Sequence, residues 1–251
     1  MSIERTERES RILAELARSG SLQVAALSRD LGVSEVTVRA DLRTLEERGL
    51  LSRTHGGAEA TGYRNVLERQ LQHPGEKDRI AAAAAELVRD GDQIMIEAGT
   101  TTARIVGHLA GRRGVQIVTN STLVFANARL NPALTVILTG GAFHGNSESL
   151  VGTVAQRTIA DFNVRLAFFG TDGFSVARGL TTGFAEGVAV IRAMQARAEE
   201  CWLVADSGKY GHAGFATVMP IDQLTGVITD EGMDPAARQE LSDSDVRVRY
   251  V

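Results

Sequence analysis

The chain has 251 residues, 43% hydrophobic and 23% charged, which excludes wholesale disorder and is long enough for one large or two unequal domains. A net charge of -4 excludes a strongly basic nucleic-acid coat, so any DNA contact must be local. Aromatic residues at 5% leave few rings for stacking on bases, and a single cysteine, Cys201, excludes an intrachain disulfide framework or a multi-cysteine metal site.

Residues 1–58 read as helices with little strand. A first helix is expected over Glu4–Arg18, with Ile12, Leu13 and Leu16 on its apolar face and Gly20 as its stop. Ser21 is placed to cap a second short helix that carries Leu22, Val24, Leu27 and Leu31 and ends at Gly32. In the third helix Ser34 is the N-cap, Val38, Leu42 and Leu45 form the buried stripe, and Gly49 is the end. Leu50 and Leu51, followed by polar residues up to Gly56-Gly57, suit a small β-hairpin wing.

Two short helices joined through Gly32, followed by a third with a polar face, fit a helix-turn-helix. Its outward face carries Glu35, Val36, Thr37, Arg39, Ala40 and Arg43. Ser34, Thr37 and Arg39 at the start of such a helix can enter a major groove, while Arg43, and Arg53 and His55 from the wing, reach the flanking backbone. Residues 1–59 hold nine Arg against ten Asp or Glu, so only the placement of the arginines favours double-stranded DNA over a protein partner for the same face.

Residues 59–77 (EATGYRNVLERQLQHPGEK) read as a linker with a short helix around Val66–Leu71. From residue 78 to 251, short apolar runs alternate with helical patterns. Strands are expected at Gln93–Ile96, Val115–Thr119, Leu134–Thr139, Leu166–Gly170, Trp202–Ala205, Gly226–Thr229 and Val246–Tyr250. Helices are expected at Asp78–Arg89, Thr101–Ala110, Ser121–Leu130, Val151–Ala160, Gly187–Ala198 and Pro235–Ser242. This alternation implies an α/β domain around a largely parallel sheet, whose ligands bind at the C-terminal ends of the strands.

Polar clusters fall at those ends: Glu97-Ala98-Gly99-Thr100-Thr101-Thr102, Thr119-Asn120-Ser121, Thr139-Gly140-Gly141, Gly170-Thr171-Asp172-Gly173 with Gly179-Leu180-Thr181-Thr182, and Asp206-Ser207-Gly208-Lys209. The Gly-Thr-Thr-Thr run fits both an anion site at a helix start and a simple helix cap. Five clusters at equivalent ends point to one polar pocket. Thr, Asn, Gly and Asp serve a hydroxyl-rich molecule, and Lys209 and the helix start at Gly99 serve a phosphate, so a phosphorylated sugar is the simplest ligand. Candidate effector contacts are Gly99, Thr100, Thr101, Thr102, Thr119, Asn120, Gly140, Gly141, Asp172, Thr181, Glu186 and Lys209.

The ordered run Val33, Ser34, Thr37, Val38, Arg39, Asp41, Leu42, Leu45, Glu46, Gly49, Leu50, Leu51, Arg53, His55, Gly56, Gly57 and Ala58 resembles the N-terminal hallmark of DeoR-type bacterial transcriptional regulators, with Ala40 standing where that family usually carries a second Arg. The larger region resembles the DeoR sensor through Glu76-Lys77, the Gly-Thr-Thr-Thr loop, Val118-Thr119-Asn120, Thr139-Gly140-Gly141, Gly152, Phe169–Gly173, Gly179–Thr182 and Asp206–Lys209. Its departures are Glu97, where Asp is commoner, and Gly208, where a second Ser is commoner.

The resemblance implies a winged helix-turn-helix domain joined to a sensor of the ribose-5-phosphate isomerase-like fold. It also implies a phosphorylated sugar or polyol as effector, operator DNA as partner, and repression of a carbohydrate catabolic operon by a homo-oligomer, dimer or tetramer. The competing reading is a sugar-phosphate isomerase fused to a winged helix, with Asp172, Glu186 and Lys209 as base and electrophile candidates. No cofactor is expected: there is no Walker-type phosphate loop, and His55, His73, His108, His144 and His212 show no metal-ligand spacing. The absence of an apolar run near the ~18 residues of a membrane span, and a charged start, MSIERTERESR, without an apolar signal core, make a soluble cytoplasmic protein the expectation.

Overall fold

The computed structural model describes residues 5–19, 21–47, 51–54, 56–59 and 66–251. The chain divides into two compact units, Met1–Arg69 and Gln70–Val251.

The first unit is built from α1 (Arg5–Ser19), β1 (Ser21–Gln23), α2 (Val24–Leu31), α3 (Glu35–Glu47), β2 (Ser52–Thr54) and β3 (Gly57–Glu59), followed at the division by α4 (Val66–Leu71). Ile12, Leu16, Leu27, Val38, Leu42, Leu45 and Leu51 form its core, each 4% exposed or less. Ser21 does not cap α2. It belongs to β1, and the cap position is Gln23, which makes no side-chain bond to the helix. The reason is the period of two around Leu22: this residue points into the core while its neighbours point out. β1 therefore pairs antiparallel with β3, and the wing is a three-stranded sheet in the order β1-β3-β2. Gly57 permits that pairing, since a Cβ there would lie 1.7 Å from the Leu22 carbonyl oxygen.

Asp41 lies on the buried side of α3, 3% exposed, where Arg8 of α1 grips it with two bonds, Nε–Oδ2 at 2.8 Å and Nη2–Oδ1 at 3.1 Å. A planar guanidinium facing a carboxylate in this way fixes direction as well as charge, so the pair sets α3 against α1.

The second unit opens with α5 (Pro74–Glu86), β4 (Gln93–Ile96), α6 (Thr102–Ile105) with a 3-10 turn at Val106–Leu109, β5 (Val115–Thr119), α7 (Thr122–Ala128) and β6 (Leu134–Leu138). It continues through β7 (Ala142–His144), β8 (Ser149–Val151), α8 (Thr153–Ala160), β9 (Val164–Phe169), β10 (Gly173–Ser175), β11 (Gly179–Thr182), α9 (Ala185–Gln195) and β12 (Ala198–Val204). It closes with β13 (Ala216–Met219), β14 (Gly226–Thr229), α10 (Pro235–Ser242) and β15 (Arg247–Tyr250). Seven strands form a sheet in the order β15-β14-β12-β9-β4-β5-β6, and every pairing is parallel. Alternate residues feed two cores: Ala167 and Phe169 of β9 pack on one face, Leu166 and Phe168 on the other.

Three local differences from the sequence reading have clear causes. α5 starts at Pro74 rather than Asp78, because proline at the first helical position has the φ a helix needs and lacks only an N–H that would be unpaired there. Pro74 to Lys77, read as linker, is thus helical, and Lys77 is 3% exposed. Val151, read as the start of a helix, closes β8. The hairpin β7-β8 and the antiparallel sheet β10-β11-β13 were not expected: their strands are short, and most of them mix Gly, Ser or Thr with apolar residues instead of forming an apolar run.

Arg165 of β9 holds Asp92, the residue before β4, through Nε–Oδ1 at 3.0 Å and a second bond from Nη2 to Oδ2. Burial raises the Asp92 carboxyl, but the Arg165 bonds and the Arg89 amide outweigh it and hold the group below its ordinary range.

Replacing Asp41 by Ala removes the carboxylate that neutralises a largely buried arginine. Unfolding by urea, followed by helical circular dichroism, should show the first unit destabilised by on the order of 3 kcal/mol. A loss below 0.5 kcal/mol would mean that apolar packing alone orients α3.

Candidate functional site

The first candidate site is the outer face of α3. Gly32 ends α2 in a left-handed conformation, φ 65°, and turns the chain into α3. The Ser34 hydroxyl caps that helix by accepting the Thr37 amide at 3.2 Å and lies 2.9 Å from the Thr37 hydroxyl. Val36, Arg39, Ala40 and Arg43 are exposed, Val36 to 74%. Arg39 pairs with Glu35 one turn earlier, Nη2–Oε2 2.7 Å. Arg53 is held differently: its amide and its guanidinium bond to the two oxygens of Glu46, at 3.0 and 2.6 Å, which clamps the wing to α3. The Arg53 amide and then its guanidinium keep the Glu46 carboxyl below its usual range. His55 lies outside the described residues.

The second candidate site is the C-terminal end of the parallel sheet. β4 runs out to β5 and β6 on one side, and β9 then returns to pair with β4 on the other, so the order of the strands reverses between β4 and β9. Adjacent connections leave such a point in opposite directions and open a crevice between them. Glu97 and Gly99 follow β4, and Gly170 follows β9. A Cβ on Gly170 would lie 3.8 Å from Glu97 Oε2, and one on Gly99 would lie 3.9 Å from the Gly170 Cα. Both loops thus line one crevice, with the Glu97 carboxylate, 8% exposed, beside it.

The remaining predicted residues separate by what their polar groups already hold. Thr102 is fully buried and donates to the Gly99 carbonyl at 3.0 Å, and α6 behind it is only four residues long, which weakens the helix-dipole argument for an anion there. Thr101 is 7% exposed and Thr100 partly exposed. Thr119 is buried and donates to the Ile96 carbonyl at 2.6 Å. Asn120, 1% exposed, accepts the Ala98 amide at 3.1 Å and donates to the Leu150 carbonyl at 3.4 Å, so it fastens the loop after β4 to β8. Gly140 and Gly141 both have positive φ, and a Cβ on Gly141 would lie 2.4 Å from the Val151 carbonyl oxygen, so this pair shapes the entry to the β7-β8 hairpin. Thr181 is 3% exposed, donates to the Gly173 carbonyl and accepts the Gly214 amide, both at 2.7 Å.

Asp172 accepts the Gly183 amide at 2.8 Å and the Thr182 hydroxyl at 3.2 Å. Glu186 is exposed in the first turn of α9. Lys209, partly exposed, closes a 3-10 turn at Ser207–Lys209, and its ammonium has no hydrogen-bond or ion-pair partner among the described residues. A groove of about 730 Å³ lies elsewhere, lined by Asp78, Arg104, His108, Asn127, Leu130 and Pro132 among others, and none of the predicted effector residues borders it.

Two residues that matter were not singled out. Asp230, just beyond β14, accepts the Ser207 amide at 2.7 Å, the Ser207 hydroxyl at 2.8 Å and the Gly232 amide at 2.9 Å, and so fixes the turn that carries Lys209. Burial raises its carboxyl, but the Ser207 and Gly232 bonds hold it below the ordinary range. His144 at the end of β7 stacks on Phe184, centroids 3.7 Å apart, and ties the hairpin to the loop before α9. Asp230 had a legible signal, being a polar residue at one more strand end. His144 had none.

Two family models divide the chain as its units do. Residues 8–62 match the DeoR-like helix-turn-helix domain, and residues 72–231 match the DeoR C terminal sensor domain. The chain belongs to the DeoR family. Its DeoR relatives match it over nearly their full length. It is 33% identical to the HTH-type transcriptional regulator GlpR of Haloferax volcanii, with 96% of each chain covered. It is 31% identical to the HTH-type regulator YulB of Bacillus subtilis, with 98% and 96% covered. It is 30% identical to the HTH-type transcriptional repressor CsqR of Escherichia coli, with 96% and 94% covered. Among solved structures it aligns with ribose 5-phosphate isomerase A of Methanocaldococcus jannaschii at 19% identity, TM-score 0.40, over 53% of each chain. Among the described residues of this DeoR chain, no helix is long and apolar enough to cross a membrane.

Asn120 has a structural duty that is independent of any effector. Asn120→Ala leaves the Ala98 amide without its acceptor and should lower the stability of the unliganded protein by about 1–3 kcal/mol, read by urea unfolding. Unchanged stability would return Asn120 to the list of pure ligand contacts.

Proposed function

We propose that the chain is a DNA-binding repressor of a carbohydrate catabolic operon, and that a phosphorylated sugar or polyol at the strand ends of the larger unit changes its affinity for the operator. The observation that carries this reading is a capped helix with an exposed arginine face in one unit and a polar crevice at the sheet's reversal point in the other. Ser34, Thr37, Arg39 and Arg43 on α3 are the groove and phosphate contacts, and Arg53, with His55, approaches from the wing.

The Glu35–Arg39 pair does not block that role. An exposed pair one turn apart is worth about 0.3–0.5 kcal/mol, less than the ~1–3 kcal/mol of a bidentate base contact, so DNA can recruit the guanidinium. Two chains acting as a homo-oligomer add their half-site energies, since a single small module buries little interface.

In the larger unit Lys209 takes the phosphate, and the loops from Gly99 to Thr101 and from Gly170 to Asp172 enclose the carbon skeleton. Asp172 is occupied by the Gly183 amide and the Thr182 hydroxyl, which suits a loop-holding role better than that of an isomerase base. The CsqR relative is named a repressor, which supports the sign of regulation.

The test is a gel-shift titration of the full chain on DNA from upstream of its own gene. Arg39→Ala should weaken binding by about 1–3 kcal/mol, roughly 5- to 150-fold. Equal affinity takes Arg39 off the contact face, and failure of the wild-type chain to bind any such fragment ends the regulator reading. In the same assay Lys209→Ala should keep its DNA affinity while losing most of its response to added sugar phosphates. An unaltered response would move the phosphate site elsewhere.

A further inference from the structure

α4 lies at the division between the two units, and a tight turn follows it. Only Gln72 and His73 separate it from α5, and His73 has a left-handed backbone, φ 49°. That conformation is uncommon for a residue with a side chain and persists only where its surroundings enforce it. A helix this short also leaves its last carbonyls without partners of its own. One of them, the Gln70 carbonyl, accepts a bond from Arg104 Nη2 at 3.2 Å. The end of α4 is thus held by a side chain of α6.

Arg104 is itself placed from two directions. Its Nη1 pairs with Asp78 Oδ1 of α5 at 3.8 Å, and His108 Nε2 lies 3.1 Å from the same oxygen. Behind it, α6 is joined closely to the loop that follows β4. The Gly99 carbonyl accepts the Ala103 amide at 3.1 Å and the Thr102 hydroxyl at 3.0 Å, and a Cβ on Gly99 would lie 2.9 Å from Thr102 Oγ1. Asn127 of α7 donates to the Ala103 carbonyl at 2.9 Å, and α7 is capped by Ser121, directly after Thr119-Asn120. The loops beyond β4 and β5 are therefore both fastened to the short helix that carries Arg104.

We propose that Arg104 is the positioning residue that couples the crevice to the segment leading into the DNA-binding unit: a polyhydroxylated phosphate that shifts the Gly99–Thr101 loop changes the grip of the Arg104 guanidinium on the end of α4. The proposal rests on the regulator and sensor reading above and adds the group through which the ligand acts on the operator. A hydrogen bond from a charged donor, made in one state and lost in the other, is enough for a coupling of about tenfold. Release is easily accommodated, because Arg104, Asp78 and His108 line the groove of about 730 Å³, which gives the freed guanidinium a solvated place to lie. None of the predicted effector residues borders that groove, so Arg104 acts on the response and leaves ligand affinity alone.

The experiment uses the full-length chain as wild type, Arg104→Ala, and His108→Ala, which keeps the Gln70 bond. Isothermal titration with ribose 5-phosphate, glucose 6-phosphate, fructose 1-phosphate and glycerol 3-phosphate selects a ligand that binds the wild type. Gel shifts on DNA from upstream of its own gene then give the factor by which saturating ligand changes operator affinity. Hydrogen exchange without DNA follows the amides of residues 67–72 and 99–104. Arg104→Ala should bind the ligand within about twofold of wild type, while the factor falls from about tenfold to below about twofold. His108→Ala should respond as wild type. Ligand should alter exchange in both segments of the wild type, and in Arg104→Ala only at 99–104.

An unchanged factor in Arg104→Ala overturns the proposal and leaves the sensor reading standing. So does a wild type whose exchange at 67–72 ignores the ligand, a result that needs no variant. A large loss of ligand affinity in Arg104→Ala would make Arg104 part of the pocket, and an equal loss of response in His108→Ala would make general packing the cause; each overturns the proposal. A wild-type chain that binds none of the organic phosphates, or binds them without any change in operator affinity, overturns the sensor reading, and this proposal with it.

Discussion

The return of β9 to the open side of β4 is the constraint on which the larger unit depends. An all-parallel sheet buries both faces, so side chains in mid-strand are committed to the two apolar cores, and polar groups can collect only where strands end. Reversing the strand order at β4 and β9 parts the connecting loops at one place. The Arg165–Asp92 pair ties these two strands at their opposite, N-terminal ends, away from the crevice. Rigidity at one end of the sheet and an open crevice at the other follow from the same topology.

At the open end most of the polarity is already spent. Thr102, Thr119, Asn120 and Thr181 are buried and bonded to backbone groups, so they hold the loops in place and have little left to offer a solute. This division has a physical reason. Loops over a sheet end carry backbone N–H and C=O groups that no strand partner satisfies, and short hydroxyl and amide side chains are the nearest replacements. What remains uncommitted at that end is a smaller set: the partly exposed loop backbone and the Lys209 ammonium, which has no partner among the described residues.

The sequence made the architecture legible because the signals for it were long. Most strands of the parallel sheet carry an apolar run beside turn residues, the edge strand β15 (Arg247–Tyr250) being the exception, and the stripe Val38, Leu42 and Leu45 fixes α3 whatever surrounds it. The polar clusters could likewise be placed at strand ends from the order of elements alone. Their division of labour was not legible. Whether Thr119 faces a ligand or the Ile96 carbonyl depends on a rotamer and on a strand far away in sequence, and no local pattern records either. The β1 strand was missed for a related reason: three residues ahead of a helix read as its cap until the distant Gly57 offers them a partner. Asp41 did carry a sign, since an acidic residue beside Val38 and Leu42 must face the core or break the stripe, but its partner Arg8 lies 33 residues away.

In the smaller unit two arginines look alike in sequence and are held in different ways. Arg53 spends its amide and its Nε on one carboxylate, Glu46, so its strand is locked to α3 while the outer nitrogens of its guanidinium stay on the exposed side. Arg39 has one bond, to a glutamate on its own helix, with both partners substantially exposed. A weak, exposed pair presets the direction of the arginine at little energetic cost and yields to a better acceptor. A bidentate clamp across two elements does not yield without moving the wing. α3 thus combines a fixed frame, set by Arg8–Asp41 behind it and Glu46–Arg53 beside it, with a face whose own charge pair is weak enough to exchange. A module that must hold its shape while meeting a polyanion needs both properties, and here they are assigned to different arginines.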